Sequence, residues 1–145
     1  MKLSVTSWSF PQCNLSESTG LSNLLGINAI DVGYFYRSAL DKNTLLKDYK
    51  KIIDEINKYN INYANLYHLF GNSLEDRNLA DINNLEDNKK DLTTVTNFCV
   101  EANIPSIFIL PGVTNPGQSR NDALKNSINS LNALNEITSK KISNY

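Results

Sequence analysis

The sequence is poor in the residues that build metal centres and disulfide frameworks. Its 145 residues include one histidine and two cysteines. Two cysteines cannot form a disulfide framework, and Cys13 and Cys99 do not have the spacing of metal ligands. A chain of this kind is typical of a compartment in which thiols stay reduced, so the sequence predicts a cytoplasmic protein.

A strong charge of one sign and long apolar runs are also absent. Fourteen basic residues stand against fifteen acidic ones, and the net charge is −1. Nucleic-acid binding through phosphate neutralisation needs a basic surface, so no nucleic-acid partner is predicted. A membrane span needs a run of about 18 apolar residues, and none exists. The first ten residues, MKLSVTSWSF, are too polar for a signal peptide.

The glycines form none of the motifs that hold phosphate groups. No G-x-G-x-x-G follows a predicted strand, and there is no P-loop, so a nucleotide cradle is not supported. One histidine with scattered partners is not a Ser/His/Asp or Cys/His constellation, so nucleophilic catalysis of that type is not predicted either.

The sequence does contain a regular alternation of strand and helix patterns. Period-two or apolar segments predict strands at residues 3–6, 28–33, 61–68 and 106–110, and apolar spacings of three and four predict helices at 21–25, 44–59, 85–102 and 119–141. The leucine and isoleucine stripes of these helices are predicted to be core. The apolar run at 106–110 predicts a strand that is covered on both faces.

This order predicts a single α/β domain over residues 1–145 with a parallel sheet and right-handed crossovers. An open doubly wound sheet of the flavodoxin type needs about five strands. A TIM (β/α)8 barrel takes about 250 residues for eight units. Four units therefore favour the first half of such a barrel, from its first strand to its fourth helix. A half-barrel leaves two sheet edges unpaired.

Four segments together resemble the N-terminal half of the xylose isomerase-like TIM barrels, the sugar phosphate isomerase/epimerase family. They are SWSF at 7–10, GINAIDV at 26–32, the long polar loop at 70–84, and FCVEANIP at 98–105 leading into IFILPG at 107–112. Two places depart from the family pattern. Asp31 stands where the family usually has glutamate, and Asn103-Ile104-Pro105 stands where it often has a leucine-glycine pair.

The resemblance implies that the complete fold isomerises or epimerises a small sugar or polyol with a divalent metal, using two glutamates as acid and base. The family's other metal ligands come from strands five to eight, which this chain does not supply. The resemblance therefore implies a parent enzyme of the isomerase or epimerase type. It also implies that this chain is inactive alone, with no complete metal site of its own.

Functional residues of such barrels lie at the carboxyl ends of the strands and in the loops that follow. Aromatic faces there stack on sugar C–H surfaces, while a few polar groups fix the orientation of the sugar. The predicted substrate-binding residues are Trp8, Phe10, Asp31, Tyr34, His68 and Phe70. The stretch at 110–113 occupies the corresponding place after the fourth strand.

Several of these residues have more than one interpretation. His68 is predicted either as a metal ligand or proton-transfer group, or as a buried histidine that is hydrogen-bonded at a strand end. Asp31 either orients a substrate hydroxyl or caps a loop or pairs with a lysine. Glu75, Asp76 and Arg77 lie in a long loop, and a solvated charged loop is the favoured interpretation for them.

Three hypotheses for the whole chain remain open. It is the N-terminal part of a sugar isomerase/epimerase-like barrel, or a half-barrel that pairs with a second copy or a separate C-terminal half. The third hypothesis is a small non-catalytic α/β binding module with an open sheet.

Overall fold

The computed structural model describes residues 3–37 and 39–142. In chain order its elements are β1 (Val5–Thr6), a 3-10 turn (Ser7–Ser9), α1 (Leu15–Leu24), β2 (Ala29–Val32), α2 (Lys42–Ile56), β3 (Asn62–His68), a second 3-10 turn (Ile82–Asn84), α3 (Leu85–Glu101), β4 (Ile107–Ile109) and α4 (Arg120–Ile142). No helix in these ranges is long and apolar enough to cross a membrane.

The first helix is bounded by two local signals. At its start, the Asn14 side chain accepts a hydrogen bond from the Glu17 N–H at 2.9 Å, and the Glu17 carboxylate accepts one from the Asn14 N–H at 2.8 Å. This reciprocal capping box satisfies two donors at the helix start. At its end, Gly26 adopts a φ of +73°, which glycine reaches without steric cost. The helix therefore begins at Leu15, well before the leucines from which it was predicted.

The four strands form one sheet in the order β1-β2-β3-β4. β1 and β2 are parallel, with Thr6 opposite Asp31, and β2 and β3 are parallel, with Asp31 opposite Asn65. These strands and the four α-helices confirm the predicted α/β class. In the described part of the chain β1 and β4 stand at opposite ends of the strand order. Four strands in this order do not establish the further prediction of half an eight-stranded barrel.

The two faces of the sheet differ in burial. Ile30, Val32 and Leu66 are almost completely buried on one face. Their neighbours Asp31 and Tyr67 alternate onto the other face, where they are only partly buried. We call this second face the open face.

The fourth strand corrects one prediction. The ring of Phe108, at the centre of β4, is 50% exposed. The expectation that this apolar run is covered on both faces is therefore wrong. A continuous apolar run does not distinguish a strand with two buried faces from one whose second face carries an exposed aromatic ring.

The helical stripes are only partly confirmed as core. The apolar stripes of α2 and α3 are buried, through Leu45, Ile52, Ile53, Ile56, Leu92, Val95 and Cys99. In α4, Leu134 is buried as predicted, but Leu124 and Ile128 are 59% and 48% exposed, so the assignment of these two residues to the core is wrong. α4 buries a neighbouring face instead, where the Ser130 hydroxyl donates to the Leu79 carbonyl at 3.0 Å. The spacing of apolar residues does not reveal a buried helix face that is made partly of hydrogen-bonded serines.

The described residues separate into two compact units. One contains the residues up to His68 together with Asn97–Phe108, and the other contains Leu69–Thr96 and the residues from Ile109 onward. The sheet up to Phe108 belongs to the first unit. The single domain over 1–145 stays a prediction.

Candidate functional site

Four aromatic side chains of the first unit lie in contact at the carboxyl ends of the strands. The Trp8 ring meets Phe35 edge-on at 5.3 Å and Tyr67 at 4.5 Å between centroids. Tyr67 also lies 5.6 Å from Phe35 and stacks on Phe108 at 5.3 Å with an interplanar angle of 22°. We call these four rings the aromatic row. Burial raises the pKa of the Tyr67 phenol, so the phenol stays protonated as a hydrogen-bond donor around neutral pH.

The aromatic row is positioned by the way each strand ends. Thr6 caps the 3-10 turn that follows β1, and its hydroxyl accepts a hydrogen bond from the Trp8 N–H at 3.4 Å. Phe35 follows β2, while Tyr67 and Phe108 are themselves strand residues. Tyr67 lies two residues beyond Asn65, so both side chains stand on the open face.

A row of polar side chains lies beside the rings on the same face. Thr6, Asp31 and Asn65 are register neighbours across β1, β2 and β3. The Ser106 hydroxyl donates to the Asn65 side-chain oxygen at 2.9 Å and also lies 3.1 Å from the Ala64 carbonyl. We call Thr6, Asp31, Asn65 and Ser106 the polar row. It offers hydroxyl, carboxylate and amide groups beside an apolar platform.

His68 and Tyr34 form a separate pair. The Tyr34 hydroxyl and His68 Nδ1 share a hydrogen bond of 3.1 Å, and the two rings meet edge-on at 5.7 Å. Lys42 Nζ lies 5.8 Å from the centre of the Tyr34 ring. His68 has no exposed surface and alternates onto the face of Leu66. This geometry matches the hydrogen-bonded buried histidine among the sequence interpretations, whereas its role as a metal ligand stays a prediction.

The remaining predicted site residues lie in different surroundings. Trp8 and Asp31 belong to the aromatic and polar rows. Phe10 ends the 3-10 turn after β1 and is half-buried, and none of the ring contacts described for the aromatic row involves it. Phe70 is buried in the second unit. Their substrate contacts stay predictions.

The charged loop after β3 forms bonds within the second unit. The Asp76 carboxylate accepts the Asn72 N–H at 2.8 Å. Arg77 Nη1 lies 2.8 Å from the Asp91 carboxylate in a half-buried ion pair. Exposed Glu75 accepts a hydrogen bond from Ser73 at 3.0 Å. These contacts order the loop locally, and a role in substrate binding for Glu75, Asp76 or Arg77 stays a prediction.

The described residues do not bring three metal-ligating side chains together. Across the described ranges, no group of three or more His, Cys, Asp and Glu side chains could hold a metal ion. His68, the predicted ligand, pairs with a tyrosine and lies on the buried face of β3.

A cleft of about 560 Å³ opens at the amino ends of the same strands. It is lined mainly by small and amide side chains, including Ser4, Ala29, Asn62 and Ala64. Among the described residues that line it, none carries a carboxylate or an amine. We place the candidate site at the opposite ends of the strands, because the four rings are in contact there and Asp31 stands on the same face of the sheet.

Sequence reasoning missed Phe35, Asn65, Tyr67, Ser106 and Phe108. The signal for two of them was available. Asp31 is a predicted site residue. In a parallel sheet its neighbour on the next strand shares its face, and so does the residue two positions further on; these are Asn65 and Tyr67. His68 is predicted from its place at the end of β3 and from the chemistry of imidazole, but its side chain lies one residue away from the open face and is buried.

No family model and no curated protein matches the sequence. Among solved structures, the fold resembles the apo crystal structure of 3-keto-D-glucoside 4-epimerase, YcjR, from E. coli, with a TM-score of 0.61 and 15% sequence identity. The likeness covers 97% of this chain and 52% of that chain. This chain therefore spans about half the length of the epimerase, and at this identity the likeness concerns the fold alone.

These findings correct the family assignment made from the sequence. The chain was identified as the N-terminal half of a xylose isomerase-like TIM barrel. No family model supports that membership, and the solved structure, an epimerase, supplies a likeness of fold alone at 15% identity. Short motifs such as a glycine before a strand or a Pro-Gly after one recur in many α/β folds, so their order was a weak basis for the assignment.

Proposed function

We propose that the open face of the sheet binds a small sugar or polyol, and that the chain forms part of a sugar epimerase- or isomerase-like protein. The observation that carries the proposal is the juxtaposition of the aromatic row with the polar row in one unit. Carbohydrate sites need an apolar platform for C–H surfaces and fixed polar groups for hydroxyls, and this face offers both.

The proposed roles follow from the chemistry of each side chain. Trp8, Tyr67 and Phe108 supply ring surface for the C–H face of the sugar. Asp31 accepts hydrogen bonds from sugar hydroxyls, and the Asn65 amide donates and accepts. Of the residues predicted from the sequence, Phe10, Tyr34 and His68 are proposed to shape or support the site rather than to form its platform. A substrate contact by Phe70, which belongs to the second unit, stays a prediction.

The fold comparison supports the substrate class. The solved structure that this chain resembles is named as an epimerase of a keto-glucoside. Its chain is about twice as long as the matched part, so any epimerisation is proposed for a complete assembly and not for these residues alone. A divalent metal, if such an assembly uses one, would need ligands from outside the described residues.

The single tryptophan provides the test, because Trp8 lies inside the aromatic row. Titration with methyl glucosides and 3-keto-glucosides should change the Trp8 fluorescence in a saturable way. Tyr67→Ala removes a ring next to Trp8 and should weaken binding about five- to tenfold, the value of one aromatic contact. Tyr36→Ala is the matched control, because Tyr36 is 62% exposed and lies outside the row. Equal binding by both variants, or no saturable change with the unmodified chain, would reject the proposal.

A second candidate is a sugar-binding module without catalysis. It is supported by the two rows themselves, which supply an apolar platform and hydrogen-bonding groups for a sugar. Incubation of the chain with a keto-glucoside in D2O tests this second candidate. Deuterium incorporation at a sugar carbon, followed by NMR, would show proton transfer by this chain and would reject the non-catalytic module.

A further inference from the structure

The register between β2 and β3 contains one extra residue, Ala64. Ile30 stands opposite Tyr63, whereas Asp31, the next residue of β2, stands opposite Asn65. Ala64 is therefore a bulge between two register positions, and a bulge redirects the side chains that follow it. This bulge places Asn65 on the open face, directly beside Asp31.

Ser106 contacts the bulge from the other side of β3. The Leu66 N–H donates to the Ser106 carbonyl at 3.0 Å, which fixes Ser106 beside β3 at the start of β4. The Ser106 hydroxyl lies 2.9 Å from Asn65 Oδ1 and 3.1 Å from the Ala64 carbonyl oxygen. A hydroxyl has one proton, which these two acceptors share. The amide oxygen of Asn65 therefore points toward β4.

The planar amide of Asn65 then presents its nitrogen toward β2. Oδ1 and Nδ2 lie on opposite sides of the amide carbon, so an oxygen held on the β4 side places the N–H2 group on the side of Asp31. Adjacent strands are about 4.8 Å apart, and an ionised carboxylate at that distance favours a donor facing it. In the described part of the chain, neither the Asp31 carboxylate nor Asn65 Nδ2 has a hydrogen-bond partner. A charged acceptor and a fixed donor thus stand side by side beside the aromatic row.

We infer that Asp31 and Asn65 together recognise one hydroxyl of the sugar ring, and that Ser106 is the residue that positions Asn65 for this contact. The inference rests on the proposed sugar site of the open face. A hydroxyl is a donor and an acceptor at once, so it donates to the Asp31 carboxylate and accepts from Asn65 Nδ2. A ketone has no proton to donate, and a deoxy carbon offers neither group. The ligand is therefore an alcohol at this position, and any keto carbon lies elsewhere on its ring.

Titration of the Trp8 fluorescence with methyl β-glucoside and its monodeoxy analogues tests the recognition. The unmodified chain should bind one deoxy analogue at least about tenfold more weakly than the parent sugar, because a hydrogen bond to a charged group is lost. Ser106→Ala frees the Asn65 amide to rotate. This variant should bind the parent sugar more weakly and the same deoxy analogue equally well, so that the difference falls below about threefold.

Two further variants separate positioning from a structural effect. Ser106→Thr keeps the hydroxyl and should restore the discrimination between the parent sugar and the deoxy analogue. Ser16→Ala is the matched control, because Ser16 is an exposed serine of α1, and it should discriminate like the unmodified chain. Circular dichroism melts of each variant confirm that the chains are folded.

Nuclear Overhauser contacts of the Asn65 side-chain amide, measured without sugar, test the positioning step by itself. The N–H2 protons should contact the β protons of Asp31 in the unmodified chain, and this contact should weaken in Ser106→Ala. Contacts to the β protons of Ser106 instead would show the opposite amide orientation and overturn the inference.

The sugar titrations distinguish failure of this inference from failure of the proposed function. No saturable binding of any glucoside by the unmodified chain would reject the proposed function, and this inference with it. Saturable binding with equal affinity for all analogues would overturn the inference alone. So would a Ser106→Ala variant that discriminates as strongly as the unmodified chain does.

Discussion

Tyr67 and Phe108 stack on the open face of the sheet, with their ring centroids 5.3 Å apart and their planes 22° from parallel. Tyr67 lies on β3 and Phe108 on β4, so the stack joins neighbouring strands. Phe108 is half exposed, although its ring is large and apolar. A strand residue of this kind leaves an apolar surface in water that a ligand can cover.

The two faces of β3 and β4 should respond differently to truncation. Phe108→Ala removes a half-exposed ring, so the free energy of unfolding should change by less than about 1 kcal/mol. Sugar affinity should nevertheless fall, because the platform loses a ring. Leu66→Ala opens a cavity on the buried face and should cost about 2–5 kcal/mol. Urea unfolding together with fluorescence titration checks both variants. A large stability loss in Phe108→Ala with unchanged sugar affinity would make that ring a core residue.

The Tyr34–His68 hydrogen bond should contribute to stability. Tyr34→Phe leaves His68 Nδ1 without the hydroxyl in a site that has no exposed surface, so the free energy of unfolding should fall by about 1–2 kcal/mol. Tyr36→Phe makes the same chemical change at an exposed tyrosine and should stay within about 0.5 kcal/mol. Urea denaturation of the two variants measures the difference. If the two variants are equally stable, the Tyr34–His68 hydrogen bond makes no net contribution to the free energy of unfolding.

Cys99 should make stability decline at alkaline pH. Burial raises the pKa of its thiol from 9.0 to about 12. The unfolded chain therefore loses the Cys99 proton at a lower pH than the folded chain does. The stability contributed by Cys99 is complete below pH 9.0 and is lost as the pH rises toward about 12.

Replacement of the thiol isolates this contribution. Urea unfolding at pH about 8 and about 10, on either side of the ordinary thiol pKa, should show a smaller decline for Cys99→Ala than for the unmodified chain. Burial also raises the pKa of Tyr63, but that residue is present in both proteins and cancels in the comparison. Cys13→Ala, at a partly exposed cysteine, should decline like the unmodified chain. If stability declines equally in the unmodified chain and in both cysteine variants, ionisation of Cys99 is not the cause of the decline.

Two glycines of the segment between β4 and α4 should differ in their tolerance of alanine. Both have a positive φ, +101° at Gly112 and +77° at Gly117. A Cβ at Gly112 would lie 2.8 Å from the backbone nitrogen of Ala80, whereas one at Gly117 would meet nothing within 4 Å. Gly117→Ala should therefore cost about 1 kcal/mol for backbone strain alone, and Gly112→Ala should cost more than about 2 kcal/mol. Thermal or urea unfolding compares the two variants. Equal losses in the free energy of unfolding would show that the backbone near Ala80 moves away from the added Cβ at position 112 without cost.

The sequence was sufficient for the element order and the class of the fold. Alternating periods of two and of three to four identified the strands and helices, because burial on one face imposes those periods. It was insufficient for α4, where Leu124 and Ile128 have helical spacing but lie outside. The spacing shows that a helix has an apolar face, but it does not show whether the rest of the fold buries that face.

The candidate site was predictable only in part. Trp8 and Asp31 were found because they end or follow strands. Tyr67 and Phe108 were missed because their contact depends on the register between strands that are distant in sequence. His68 is predicted in the site from its chemistry and its place at a strand end. It lies two residues beyond Leu66, so its side chain is on the buried face.

An NMR titration with a methyl glucoside tests most directly whether the open face of the sheet is the sugar site. With the chain labelled with nitrogen-15, the account predicts saturable shifts of the Trp8 indole N–H, the Asn65 side-chain amide and the Tyr67 backbone amide. The Asn126 side-chain amide of α4 should stay unshifted. Saturable shifts confined to other parts of the chain, or no shifts at any sugar concentration reached, would contradict the account.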